Sequence, residues 1–327
     1  MICLKSLIIP VLGVGFLMSC TPSTPTGAGS PTPDESASAS ETSDVSQTTF
    51  DLPAVFDCVR ENGGLLIATH RGGPAPGYPE NAIETLQYAY NEGFRVMEID
   101  VAESRDGTLF LMHDRSLGRT TTGGGAVADT DWSEISRLKL VDDDGKVTSF
   151  AAPQLSETLD WAVRTGAILE LDRKPTTSFR NIIEAVRDAG AEQNVLMITY
   201  NDDEALQVAK LAPDLMMTAG IGNREHEAEL LAAGVDETRL VAWTGTDRPN
   251  PGKWKGLGRS GIESAFGTLG REGERLDDIY WQDGDPSEFV DLIDGGLTML
   301  ATDVPYRLKA AGGEIGEAIS VANRCLD

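Results

Sequence analysis

Val96-Met97-Glu98-Ile99-Asp100-Val101 reads as a β-strand with two unlike faces. Side chains alternate along a strand, so Glu98 and Asp100 share one face while Met97, Ile99 and Val101 share the other. If the apolar face packs on helices, the carboxylates point into an enclosed space, roughly 6 to 7 Å apart along the strand, as at the C-terminal mouth of a parallel β-barrel. Two bare carboxylates are costly to bury, and a divalent cation with hard oxygen ligands, magnesium or calcium, resolves that cost. Ile168-Leu169-Glu170-Leu171-Asp172 repeats the pattern on the third strand. Glu170 is the expected third metal ligand beside Glu98 and Asp100, and Asp172 is a further candidate.

The same neighbourhood carries the other reactive groups. Of the three histidines in the chain, His70 and His113 each end a strand beside charged residues, in His70-Arg71-Gly72 and His113-Asp114-Arg115. Asp106-Gly107 turns the short hairpin that delivers His113. Imidazole titrates near neutrality, so one histidine can take a proton from a nucleophile while the other protonates a leaving alkoxide. Arg71 is suited to gripping phosphoryl oxygens bidentately, and Lys174, just past the third strand, to assisting. His226, within Arg224-Glu225-His226-Glu227, reads as a surface helix residue. Gly123-Gly124-Gly125 has no P-loop lysine after it and reads as a mobile loop. Trp243 ends a strand and reads equally as an apolar wall of the mouth or as core packing.

Working outward, short apolar runs at Leu65–Thr69, Val96–Val101, Ala167–Asp172, Val195–Tyr200, Leu215–Ala219, Leu240–Thr244 and Leu297–Thr302 alternate with helical stretches. A weaker run at Ile262–Phe266 makes eight. Strand and helix in turn imply parallel strands with right-handed crossovers. A closed (β/α)8 TIM barrel is the expected architecture. An open doubly wound sheet is the alternative, and no Gly-x-Gly-x-x-Gly follows the first strand to support it. The spacing predicts a helix capped by Asn81 with Glu84 three residues on, and others over 157–164, 179–188, 203–211, 225–233 and 287–294. The glycine- and charge-rich stretch 249–281 reads poorly, and apart from the run at Ile262–Phe266 its element boundaries are not legible.

Residues 50–327 form the expected barrel domain, close to the roughly 250 residues typical of such a fold. Ahead of it, Lys5 precedes an apolar run from Leu7 to Met18 that ends at Ser19 and Cys20. Residues 1–19 read as a signal peptide too short to span a bilayer. Leu17-Met18-Ser19-Cys20 resembles the lipobox of bacterial lipoproteins, which implies lipidation of Cys20 and a membrane anchor in the cell envelope; ordinary signal cleavage is the alternative. Residues 20–49, dominated by Ser, Thr, Pro, Ala and Gly, read as a disordered tether. Of four cysteines, Cys58 and Cys325 remain near the ends of the domain. In an exported barrel, whose first and last elements meet, they are expected to pair. A formal charge of −25 argues against a nucleic-acid partner. An acidic protein acting on a phosphodiester needs local positive charge, from an ion or from arginine.

Taken together, these residues resemble the glycerophosphodiester phosphodiesterase family. The set is His70-Arg71-Gly72, Pro79-Glu80-Asn81, Glu98-x-Asp100-Val101, Asp106-Gly107 and His113-Asp114, followed by Arg119-Thr120-Thr121 and Gly123-x-Gly125 and, near the other end, Thr302-Asp303-Val304-Pro305. The resemblance implies a (β/α)8 barrel and metal-dependent hydrolysis of a glycerophosphodiester to glycerol phosphate and an alcohol. It implies His70 and His113 as the acid–base pair, Arg71 as phosphate ligand, and Glu98, Asp100 and Glu170 as metal ligands. The chain departs from the family's third-strand Glu-x-Lys pattern: Asp172 stands at the lysine position and Lys174 two residues later. Trp243-Thr244 is similar to the family's Trp-Thr motif. Two other functions fit the same residues, a phospholipase D-like enzyme acting on lysophospholipids or sphingolipids and a non-catalytic phosphoester-binding envelope lipoprotein. The sequence leaves the oligomeric state open.

Overall fold

Eight parallel strands close on themselves because the first, β1 (Leu66–Thr69), pairs both with the second, β2 (Val96–Glu103), and with the last, β9 (Met299–Thr302). Between them β4 (Ile168–Arg173), β5 (Val195–Ile198), β6 (Met216–Gly220), β7 (Leu240–Trp243) and β8 (Glu263–Gly267) follow in order around the ring. β3 (Leu109–Leu111) pairs antiparallel with the end of β2, outside the ring. The computed structural model describes residues 51–326; the expected signal peptide, Cys20 and tether lie outside them. The ring excludes the open-sheet alternative, and the weak run near residue 262 is a full barrel strand, β8.

Alternation divides the strand residues into two apolar layers. Met97, Ile99, Val101, Leu169 and Leu171 face outward into the main core shared with the helices. Leu66, Ala68, Val96, Ile168, Leu196, Met216, Val241, Ala265 and Met299 fill the barrel's lower interior. A helix over Leu52–Asn62 closes that floor with Leu52, Val55, Phe56 and Val59, the i, i+3, i+4, i+7 stripe of an amphipathic helix. Arg60, flanking that stripe, donates to Glu263 at 2.7 Å, and Cys58 is bonded to Cys325 just beyond the terminal helix Gly313–Arg324.

The 104–154 excursion between β2 and β4 carries a small core of its own, built on Phe110, Met112, Leu117, Val127, Ile135 and Leu140. That core fixes the hairpin bearing His113 above the mouth. One sequence expectation needs correction. The helix over Ile83–Asn91 starts from Ala82, because Asn81 has a left-handed backbone (φ 58°) and its side chain is engaged elsewhere. In the stretch 249–281, where the sequence gives no clear boundaries, Asn250 caps a helix over Pro251–Arg259 and a turn of helix forms at Leu276–Ile279. Among the described residues no helix is long and apolar enough to cross a membrane.

Candidate active site

β2 and β4 pair in register with Glu98 opposite Glu170 and Asp100 opposite Asp172. Four carboxyl groups therefore stand in two layers on the inner wall, all buried. Burial, with Asp100 and Asp172 nearby, pushes the Glu98 carboxyl well above the ordinary glutamate range. Burial and Asp172 together push Glu170 up to about 8. Oxygens of Glu98, Asp100 and Asp172 lie within 4.8 Å of one another. This is not the trio expected from the sequence: Asp172 joins Glu98 and Asp100, and Glu170 sits level with Glu98, deeper in the barrel than Asp172.

Three buried carboxylates this close need positive charge. Lys174 supplies part of it, its Nζ lying 2.5 Å from Asp100 Oδ1 and 2.6 Å from Asp172 Oδ2. One ammonium against three carboxylates leaves the cluster net negative, and Asp172 Oδ1 is buried with no hydrogen-bond donor. An all-oxygen set with a spare lone pair suits a hard divalent cation. The residues present fit such an ion, held by Glu98, Asp100 and Asp172.

Each catalytic candidate histidine rests on a carboxylate. His70 Nδ1 is 2.6 Å from Asp303 Oδ1, and His113 Nδ1 is 2.7 Å from Asp114 Oδ1. Burial pushes Asp303 up, but the His70 contact, the Gly270 N–H and Arg275 outweigh it and hold the group down at about 2. Arg119 grips Asp114 through two nitrogens, at 2.7 and 2.9 Å, and holds it far below the ordinary aspartate range. Arg119 also donates twice to Glu80 at 2.8 Å, and Glu80 accepts from Arg71 Nη1 at 2.9 Å. His113 is thus joined to Arg71 through Asp114, Arg119 and Glu80.

Arg71 is a non-glycine residue at φ 51°, a conformation costing on the order of 1 to 3 kcal/mol. The turn aims its backbone N–H at Glu98 Oε2, 2.7 Å away. Its Nε is buried without a hydrogen-bond partner, 4.0 Å from Asp100 Oδ2. Gly72 follows at φ 85°, where a Cβ would stand 2.7 Å from Leu86 Cδ2, so only glycine fits.

A cavity of about 370 Å³ opens from this wall across the mouth. His70, Glu98, Glu170 and Asp172 line one side, and Ile198, Tyr200, Trp243 and Leu269 the other, with no lysine or arginine among the lining residues. A larger concavity of about 640 Å³, lined by Ile83, Trp132, Pro153 and Arg164 among others, includes none of the expected site residues. Glu80, Asn81, Asp114, Arg119 and Asp303 sat in quoted motifs without a role. Asn81 exchanges two hydrogen bonds with Asp100, at 2.6 and 2.9 Å. Tyr200, whose hydroxyl donates to Asp172 Oδ2 at 2.7 Å, and Arg275 carried no sequence signal beyond their residue type. Gly123–Gly125 is absent from the cavity lining. His226 lies on the helix Arg224–Ala232 and pairs with Asp202 at 2.9 Å, apart from the mouth.

A barrel whose mouth pairs an oxygen-ligand cluster with carboxylate-held imidazoles and arginine is built to cleave an anionic ester, and the class it defines is a phosphodiester hydrolase. Residues 70–227 match the Glycerophosphoryl diester phosphodiesterase family model. That stretch, from His70 through β6 to the helix Arg224–Ala232, is what the chain shares with the glycerophosphodiester phosphodiesterase family. It is 28% identical over 156 residues to a glycerophosphodiester phosphodiesterase of Caldanaerobacter subterraneus subsp. tengcongensis, spanning 46% of this chain and 64% of that protein. The crystal structure of a glycerophosphoryl diester phosphodiesterase from Parabacteroides distasonis matches with a TM-score of 0.70 and 25% identity, over 83% of this chain and 92% of that one. An Oleispira antarctica phosphodiesterase, solved in complex with the product sn-glycerol-3-phosphate, shares the fold at 19% identity and a TM-score of 0.59, over 80% of this chain and 99% of that one.

Proposed function

We propose that this protein hydrolyses glycerophosphodiesters to glycerol phosphate and an alcohol, with His70 and His113 exchanging protons and a divalent cation, magnesium or calcium, required. The observation that carries the reading is His70, its Nδ1 on Asp303, lining one cavity with Glu98, Glu170 and Asp172 beside a buried carboxylate cluster, with His113 linked to the same wall through Asp114, Arg119, Glu80 and Arg71. The relatives' names support the substrate class. With Nδ1 donating to an acceptor-only carboxylate, each ring leaves Nε2 free for proton exchange. One imidazole takes the proton of the attacking oxygen as it bonds to phosphorus. The other gives its proton to the alkoxide as the bond between phosphorus and the alcohol oxygen breaks. Arg71 is the phosphoryl contact of the mouth, and Lys174 offsets the carboxylate field beside it. A cation held by Glu98, Asp100 and Asp172 would supply Lewis-acid neutralisation of charge on the phosphoryl group.

The organic arm of the substrate fits the wall of Ile198, Tyr200, Trp243 and Leu269. That wall has no fixed cation, so an uncharged or cationic alcohol suits it better than an anionic one. Its apolar character is also what favours the second reading, a phospholipase D-like action on lysophospholipids. Tethering through lipidated Cys20 would place the domain beside the membrane from which either kind of substrate derives. His70→Ala or His113→Ala is expected to lower kcat by at least about a hundredfold while the circular dichroism melt is unchanged. Near-wild-type turnover in both single variants rejects the acid–base assignment. Comparing glycerophosphocholine with lysophosphatidylcholine separates the two readings.

A further inference from the structure

The loop between β8 and β9 contributes nothing to the cavity wall beyond Leu269, yet much of its hydrogen bonding is spent on one residue. Asp303 Oδ2 accepts from Arg275 Nη1 at 2.7 Å and from the Gly270 N–H at 3.1 Å. The Asp303 backbone N–H donates to Asp277 Oδ2 at 2.7 Å, and Asp277 Oδ1 accepts from Thr302 Oγ1 at the same distance. Asp277 is fully buried. Arg275 is braced from behind by Asp278, at 3.0 Å from Nε and 3.3 Å from Nη2. Backbone and carboxylate of Asp303 are thus both fixed, with Oδ2 saturated and Oδ1 left to His70 Nδ1.

We infer that Arg275 is a positioning residue for the hydrolysis: by pinning Oδ2 of Asp303 it holds Oδ1 on His70 Nδ1 and keeps Nε2 as the nitrogen facing the mouth. The inference rests on the hydrolytic reading of the site. A carboxylate offers only lone pairs, so a 2.6 Å contact places the proton on Nδ1. An Asp side chain free to rotate would let the ring turn and populate the other tautomer. The second histidine has the same arrangement from an unrelated loop, His113–Asp114–Arg119. His226, which has no place in the chemistry, meets Asp202 through Nε2 and accepts the Gly222 N–H at Nδ1, and among the described residues no arginine is hydrogen-bonded behind Asp202. The Arg275 guanidinium is engaged by Asp303 and Asp278, so it acts through Asp303 rather than on substrate.

The test uses the full-length chain and the variants Arg275→Ala, Arg275→Lys and Asp278→Ala. Their kcat and KM are measured on glycerophosphocholine with magnesium, and the imidazole nitrogens are followed by 15N NMR. Three histidines make assignment by single substitution straightforward. Arg275→Ala is expected to lower kcat by about 10- to 100-fold with KM within about threefold, and to move the His70 nitrogens from a fixed Nδ1–H pattern toward a tautomer mixture. Arg275→Lys, which keeps a cation within reach of Asp303, is expected to recover most of kcat, and Asp278→Ala to fall between. Unchanged kcat and unchanged His70 nitrogens in Arg275→Ala overturn the inference, as does a change confined to KM. If Arg275→Ala does not fold, the inference stands or falls on Asp278→Ala: a His70 nitrogen shift there supports it, and none refutes it. If the wild-type protein hydrolyses no glycerophosphodiester, the proposed function fails while the NMR comparison still decides the role of Arg275.

Discussion

Asp172 shows how much one position can rearrange. Where the family pattern places a lysine, this chain has a carboxylate that accepts from Lys174 and from the Tyr200 hydroxyl and still keeps Oδ1 unpartnered. The lysine is displaced by two residues along the strand end, yet its ammonium returns to the same mouth. If Asp172 is the third metal ligand, Asp172→Asn should weaken magnesium binding at least about tenfold by calorimetry, and more than Glu170→Gln. The reverse order would restore the trio of Glu98, Asp100 and Glu170. Glu170 has its own signature. Its carboxyl is raised from an ordinary 4.5 to about 8, so between these values the folded protein keeps a proton that the unfolded chain has lost. Stability is then full below about 4.5 and declines as pH rises toward 8. In EDTA, the thermal midpoint should fall across that window in the wild type and fall less in Glu170→Gln; equal slopes would mean that Glu170 ionises freely.

Among elements, β2 and β4 were the most legible, because a two-residue period with carboxylates on one side allows few environments. The in-register pairing of Glu98 with Glu170 and Asp100 with Asp172 is the spatial result of that pattern. Which oxygens converge was not legible, since it depends on rotamers and on Lys174 reaching back. The β8–β9 loop was illegible for a different reason. Its glycines and charges mimic a solvated linker, and its order comes from Asp277 meeting Thr268 at the start of the loop and Thr302 and Asp303 some 25 residues on. Asn81 misled as a cap because an Asn side chain serves a helix terminus and a buried aspartate equally well. The floor helix over Leu52–Asn62 is held by apolar packing, by Glu263 and by the Cys58–Cys325 bond. That bond joins residues 267 apart. Removing it with Cys325→Ser should lower the unfolding free energy by about 2 to 5 kcal/mol in urea titration, with kcat little changed. A loss of activity at full stability would instead tie the floor to the mouth.

At the scale of the molecule, a chain of net charge −25 acts on an anion by concentrating its cations where they are used. Arg71, Arg119 and Lys174 are each spent on carboxylates around the mouth, so the local field is poised rather than strongly positive. The bound ion would tip it. Apolar periodicity announced the barrel, and matching carboxylates announced its active end. The networks behind the histidines, drawn from loops far apart in the chain, required the folded molecule. The central claim is cation-dependent hydrolysis at that mouth. The most direct measurement is release of glycerol phosphate from glycerophosphocholine by EDTA-treated protein, before and after magnesium or calcium is restored. The account predicts negligible release in EDTA and recovery with a divalent ion; release that persists unchanged in EDTA, or no release with either ion across a panel of glycerophosphodiesters, would contradict it.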